Sequence, residues 1–175
     1  MSKRIILCVL LFISPSVFAD TANMWNNLSN ILGYGMPLVA AGYSIDREDE
    51  RGFVQLSASV GTAYGTSLIL KNKFPEDRPD GSGNDSFPSA HSALAFSSAR
   101  YLTKRYDDMN PYILYGSAIL TGVARVQANQ HTWGDVIFGS ALGYLSSELW
   151  TRSKDRSIAV FPQPNGIAIS YRQQF

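Results

Sequence analysis

Four stretches between Phe53 and Trp150 read as helices joined by polar breaks, and that succession dictates the fold class more than any other feature of the chain. Phe53 to Leu70 sets Phe53, Leu56, Val60, Tyr64, Ser67 and Leu68 at helical spacing, a core-helix pattern. Its small residues Ala58, Gly61, Ala63 and Gly65 predict close approach by a neighbouring helix. Ser89 is placed to cap a second helix running to about Tyr106, with Ala93, Phe96 and Ala99 as packing positions. Pro111 opens a third to about Val126. A fourth runs from His131 to about Trp150, with Gly139, Ala141 and Gly143 as packing residues.

Upstream, Asn23 to Ile45 carries no charge and predicts a surface-lying helix broken near Gly35 and Pro37, and Asp46 to Arg51 predicts a solvated charged turn. After Trp150 the period changes. Ser157–Phe161 and Ile167–Tyr171 flank prolines and an Asn165-Gly166 pair, which predicts a short C-terminal β-hairpin. The expected fold is all-α: a compact single-domain bundle of about five or six helices, with that hairpin as a tail over 157–175.

Met1 to Ala19 has the parts of a secretory signal peptide: Lys3 and Arg4, an apolar run from Ile5 to Ile13, and a Val17-Phe18-Ala19 exit. The domain would then occupy 20–156, exported to the periplasm or an envelope membrane surface. Without Lys3 and Arg4 the balance is 13 basic against 14 acidic residues, which excludes the basic stripe of a nucleic-acid binder. The sole cysteine, Cys8, lies in the presumed signal, so disulfide, zinc-thiolate and thiol-nucleophile chemistry are excluded for the mature chain. Uncharged windows at Gly52–Leu70, Met109–Ala124 and Val136–Ser147 shorten along the chain, and mean hydropathy is −0.06. Together they predict a soluble or membrane-surface domain rather than an embedded one.

The chemistry gathers around a long loop. Asn72 to Pro88 is rich in Pro, Gly and charge, and a loop of that length in a compact domain binds something or is disordered. The mature chain's two histidines, His91 and His131, each fall beside a polar loop at a predicted helix start. Asp135 follows His131 by four residues, so on a helix its carboxylate can hold one ring nitrogen and leave the other free as base or nucleophile. Lys71, Arg78 and Arg125 offer three cations, and Ser89 with the amides of Ala90 and His91 offers a helix N-terminus suited to phosphate oxygens. Two other readings of these residues are a metal held by the histidines with Asp135 and one of Asp77, Asp80 or Asp85, and a Ser89 nucleophile served by His91.

Three motifs resemble those of the type 2 phosphatidic acid phosphatase superfamily, which also includes bacterial class A acid phosphatases and vanadium haloperoxidases. They are Lys71-Asn-Lys-Phe-Pro-Glu-Asp-Arg78-Pro79, then Pro88-Ser89-Ala90-His91, then Arg125-Val-Gln-Ala-Asn-Gln-His131-Thr-Trp-Gly-Asp135, in the family's order and spacing across Tyr43 to Trp150. Ala90 stands where the family usually has glycine, and Ala124 where it usually has serine. The resemblance implies a cofactor-free, metal-independent phosphatase acting through a phosphohistidine. His131 would be the nucleophile, Asp135 its orienting carboxylate and His91 the acid for the leaving group. Lys71, Arg78, Ser89, Ala90 and Arg125 would hold phosphate. The implied substrates are lipid phosphates or prenyl pyrophosphates. A soluble non-specific acid phosphatase and a catalytically weak phosphate-binding or structural envelope protein are the alternatives.

Overall fold

A computed structural model describes residues 21–154, 156–163 and 166–173. The presumed signal peptide and the Pro164-Asn165 turn lie outside the described residues. Five helices follow one another: α1 (Thr21–Asp46), α2 (Glu50–Lys73), α3 (Ala90–Arg105), α4 (Pro111–Gln127) and α5 (Trp133–Trp150). Two strands, β1 (Arg156–Gln163) and β2 (Gly166–Gln173), pair antiparallel with Val160 opposite Ile169.

The all-α bundle is organised around α3, which packs against each of the other four helices. Ten of its 16 residues are buried, and most are Ala or Ser. Small side chains let neighbouring backbones come close. A Cβ added to Gly139 would lie 2.3 Å from the Ser89 carbonyl oxygen, and one added to Gly143 would lie 2.1 Å from that of Ala93. These two glycines of α5 therefore act as the sequence predicted, whereas Ala141 faces outward.

Three expectations need correction. On α2 the buried stripe is Gly52, Leu56, Ser59, Ala63 and Ser67, while Phe53, Tyr64 and Leu68 are exposed. The large and the small residues both recur at helical spacing, and close helix approach selects the small stripe for the interior. Gly61 and Gly65 accordingly meet nothing nearby. Second, α1 runs unbroken through Gly35 and Pro37. Proline removes one backbone bond, but packing of α1 against α3 and α4 along Gly33, Met36 and Ala40 carries the helix past it. Third, the Asp46–Arg51 turn is not wholly solvated. Asp49 caps α2 through Gly52 N and forms a buried bidentate pair with Arg105, at 2.7 and 2.8 Å, joined by the Tyr106 hydroxyl at 2.9 Å.

The interior is polar in composition, and four of its serines are satisfied within their own helices, although Ser97 Oγ is buried without a partner among the described residues. Ser44, Ser59, Ser67 and Ser98 return their hydroxyls to carbonyls four residues earlier. The exterior is correspondingly apolar: Leu38, Val54, Ile69, Ile113, Ile137 and Leu149 are among the exposed large side chains. Among the described residues no helix is long and apolar enough to cross a membrane.

Candidate active site

The chain brings its sequence-predicted site residues together at one end of the bundle, where α2 and α4 finish and α3 and α5 begin. Lys71 lies in the last turn of α2 and Arg125 in the last turn of α4. Ser89 is the N-cap of α3, its hydroxyl accepting from Ser92 N at 3.4 Å, so Ala90 and His91 are the first helical residues. His131 differs from expectation. It precedes α5 rather than lying on it, because Thr132 is the N-cap and Asp135 completes a capping box.

That box holds the carboxylate. Asp135 accepts from Thr132 N at 2.8 Å, and its own amide donates to Thr132 Oγ1 at 3.2 Å. The carboxylate lies 3.7 Å from His131 Nδ1, within ion-pair reach but longer than a hydrogen bond. Ser86 stands between them: its hydroxyl donates to Asp135 Oδ2 at 2.6 Å and lies 3.5 Å from His131 Nδ1. The sequence reading missed Ser86, since nothing in its spacing from the motifs marks it. With Nδ1 turned toward this pair, Nε2 is the ring atom left for chemistry. A backbone bond from Ser89 N to the Asp135 carbonyl, at 3.1 Å, ties the N-terminal end of α3 to the start of α5.

The three cations are held differently. Lys71 donates to the Asp85 carbonyl and, at 3.4 Å, to that of Ser86. Arg78 grips the Asp85 carboxylate through Nε at 2.7 Å and a terminal nitrogen at 2.9 Å, and its other terminal nitrogen donates to Gln130 Oε1. Among the described residues, Arg125, 3% exposed, donates only to neutral oxygens: Asn26 Oδ1 at 2.8 Å, Ser29 Oγ at 3.4 Å and Gln130 Oε1 at 3.4 Å. Gln130 is a second residue missed by sequence, an acceptor shared by two guanidinium groups. Among the described residues no cluster of three metal-ligating side chains forms, so Asp77, Asp80 and Asp85 do not join the histidines in one.

Burial first, and the concentration of positive charge after it, set the protonation states. Burial, then Arg125, Arg78 and Lys71, push His91 down to about 3. Burial and the same cations lower His131, with Asp135 opposing. Burial and Arg78 bring Arg125 down to about 10. Burial likewise lowers Lys71. At neutral pH both imidazoles are neutral, and a neutral imidazole is the nucleophilic form. His91 Nε2 and Arg125 Nε are buried without a hydrogen-bond partner. Ser97 Oγ, outside the site residues, is in the same state, whereas a ligand bound among the site residues would complete the first two.

The PAP2 superfamily model matches residues 52–159. The chain belongs to the PAP2 superfamily. It is 30% identical over 147 residues to a lipid A 1-phosphatase of Porphyromonas gingivalis, covering 81% of this chain and 32% of that protein, so it spans about a third of that relative. It is 26% identical over 176 residues to a lipid A 4'-phosphatase of Helicobacter pylori, covering 92% of this chain and 88% of the relative. The crystal structure of Aquifex aeolicus LpxE shares the fold, with TM-score 0.54 and 20% identity over 78% of this chain and 98% of that one. The match to the PAP2 superfamily gives the two departures their setting. Ala90 keeps the backbone N–H at the α3 terminus, and Ala124 is fully buried one residue before Arg125.

Proposed function

We propose that this chain is a phosphatase of lipid-linked phosphate, with the phosphate groups of lipid A-type glycolipids as its substrate class. Arg125 carries the reading: a buried guanidinium held only by neutral oxygens, beside Arg78 and Lys71, needs an anion to balance it. The names of the relatives supply the lipid.

The proposed reaction has two displacements. His131 Nε2 attacks phosphorus, the P–N bond forms as the P–O bond to the leaving group breaks, and His91 gives that oxygen a proton. Water then attacks the phosphohistidine, passes its proton to His91, and the P–N bond breaks to release phosphate. Ser86 and Asp135 hold Nδ1 and stabilise the charge on the ring. Lys71, Arg78, Arg125 and the N–H groups at Ser89 and Ala90 bind the nonbridging oxygens as charge develops. No step requires a metal.

The apolar exterior supports membrane association over a soluble acid phosphatase. Charges are sparse through the middle of the bundle: α4 carries none before Arg125, and α5 none between Asp135 and Glu148. Exposed Ile, Leu and aromatic residues there suit contact with acyl chains. Export by Met1–Ala19 would place the site on the outer side of the inner membrane.

Phosphate release from lipid A bisphosphate, phosphatidic acid and p-nitrophenyl phosphate, each with His131→Ala as control, tests the proposal. Lipid A turnover that disappears in the variant, together with acid-labile labelling of the wild type, is expected. Turnover surviving in His131→Ala, or labelling on serine, refutes the mechanism. Failure to bind lipid vesicles refutes the membrane assignment.

A further inference from the structure

The first helix lies outside the segment matched by the family model and outside all three motifs, yet it forms one wall of the site. It touches both sides of the chemistry. Toward the leaving-group acid, a Cβ on Gly33 would fall 2.8 Å from His91 Cδ2, and the Tyr34 ring meets the His91 ring edge-on at 4.7 Å between centroids. Toward the phosphate cradle, Asn26 Oδ1 accepts from Arg125 at 2.8 Å, and Ser29 Oγ, itself bonded to the Asn26 carbonyl, lies 3.4 Å from the same nitrogen.

The chemistry of these acceptors is specific. Arg78 is already answered by the Asp85 carboxylate, which also lies 3.9 Å from Lys71. Arg125 has no carboxylate within ion-pair distance among the described residues, and its shortest bond is to a neutral amide. A carboxylate in the place of Asn26 would hold the guanidinium more strongly, because charge-assisted bonds to arginine are the stronger kind. It would also cancel the charge that an incoming phosphate needs. An amide oxygen of the same shape fixes the direction of the guanidinium and leaves its charge unspent.

We infer that Asn26 is a positioning residue of this phosphatase: its neutral amide aims Arg125 into the phosphate site without compensating the positive charge. The inference rests on the phosphatase reading, and it adds a contribution of α1 that the three motifs do not contain.

Asn26→Asp changes one atom and separates holding from neutralising. In the full-length protein, vanadate inhibition, inorganic phosphate inhibition and kcat/KM on p-nitrophenyl phosphate are measured beside the thermal midpoint. Vanadate and phosphate are expected to bind at least about tenfold more weakly to Asn26→Asp, a change of about 1.4 kcal/mol, and kcat/KM to fall with them. The midpoint is expected to stay level or rise, because the tie between α1 and α4 is strengthened. A residue that only knits the helices together would leave anion affinity and kcat/KM unchanged in Asn26→Asp whatever the midpoint does, and that result overturns the inference. If Asn26→Asp does not fold, Asn26→Ser and Asn26→Leu carry the test. The serine hydroxyl keeps a neutral acceptor and should lose less anion affinity than leucine, and equal affinities in the two overturn it. A wild type that neither turns over substrate nor responds to vanadate overturns the phosphatase reading itself, which is a separate outcome from a wild-type enzyme indifferent to Asn26.

Discussion

Anion binding to this site should draw a proton onto His91. In the free protein that imidazole sits at about 3 because burial and three neighbouring cations oppose its charging, yet the proposed leaving-group step needs it protonated. A tetrahedral dianion about 4 Å from the ring attracts an imidazolium by about 8 kcal/mol at an effective dielectric of about 20. One pKa unit corresponds to about 1.36 kcal/mol. Half of that attraction, about 4 kcal/mol, therefore moves the group up by about 3 units, to the neighbourhood of 6. Sulfate is the suitable ligand, since it is a dianion with no titratable proton in this range. Calorimetry at pH 6 in buffers of different ionisation enthalpy should show sulfate binding with uptake of a sizeable fraction of one proton. The uptake should shrink in His91→Gln, and what remains should be lost in a His91→Gln, His131→Gln double variant, because the same burial and cations lower both rings. Binding with no proton exchange, or uptake unchanged by His91→Gln, refutes the coupling of site charge to the acid.

Gly139→Ala should force its Cβ against the Ser89 carbonyl, destabilising the fold by about 1–3 kcal/mol as overpacking does and lowering kcat/KM more than its thermal effect explains; Gly143→Ala, against Ala93, should cost stability with less effect on the site, and paired melting and kinetic measurements separate the two. Acid should destabilise the protein before any carboxylate titrates. His91 and His131 are depressed in the folded state relative to 6.5, so the unfolded chain binds more protons and the thermal midpoint falls as pH drops from about 6.5 toward 3. A His91→Gln, His131→Gln double variant should flatten that slope. Asp49→Asn, at the far end of the bundle, leaves Arg105 buried without its carboxylate and should cost about 3–5 kcal/mol in chemical denaturation. Turnover of the folded fraction at low temperature should survive it.

The clustering of the motif residues is legible in the sequence because it follows from their spacing and the order of the helices. Lys71, Arg78, Ser89, His91, Arg125, His131 and Asp135 do meet at one end of the bundle, and helix count and order followed from the polar breaks. What the sequence could not reveal depends on contacts between distant segments. Asn26 reaches Arg125 across 99 positions, and Ser86 reaches Asp135 across 49. Neither residue type at those positions carries a local signal. The interior of α2 was misread for a different reason. Large apolar and small residues both recur there at helical spacing, and close packing against α3 and α5 turns Ser59, Ala63 and Ser67 inward and leaves Tyr64 and Leu68 out.

That inversion bears on the chemistry of the site as well. A core of Ala, Gly and Ser lets α5 lie on the backbone of α3, and the closest approaches occur where Gly139 meets Ser89 and Gly143 meets Ala93. The first of these is the N-cap of α3, where the proposed phosphate cradle opens. At that level the Ser89 amide bonds the Asp135 carbonyl, so the second and third motifs are joined through backbone rather than through long side chains. Backbone joined to backbone leaves few rotatable bonds between the cradle and the residues that orient His131, which is the preorganisation that electrostatic stabilisation of a phosphoryl transition state requires. Larger core residues would separate the helices and lengthen those links. Small residues inside and large apolar ones outside are therefore one arrangement with two consequences under the proposed function: a rigid phosphate site at the bundle end, and an apolar flank suited to the acyl chains of a lipid substrate.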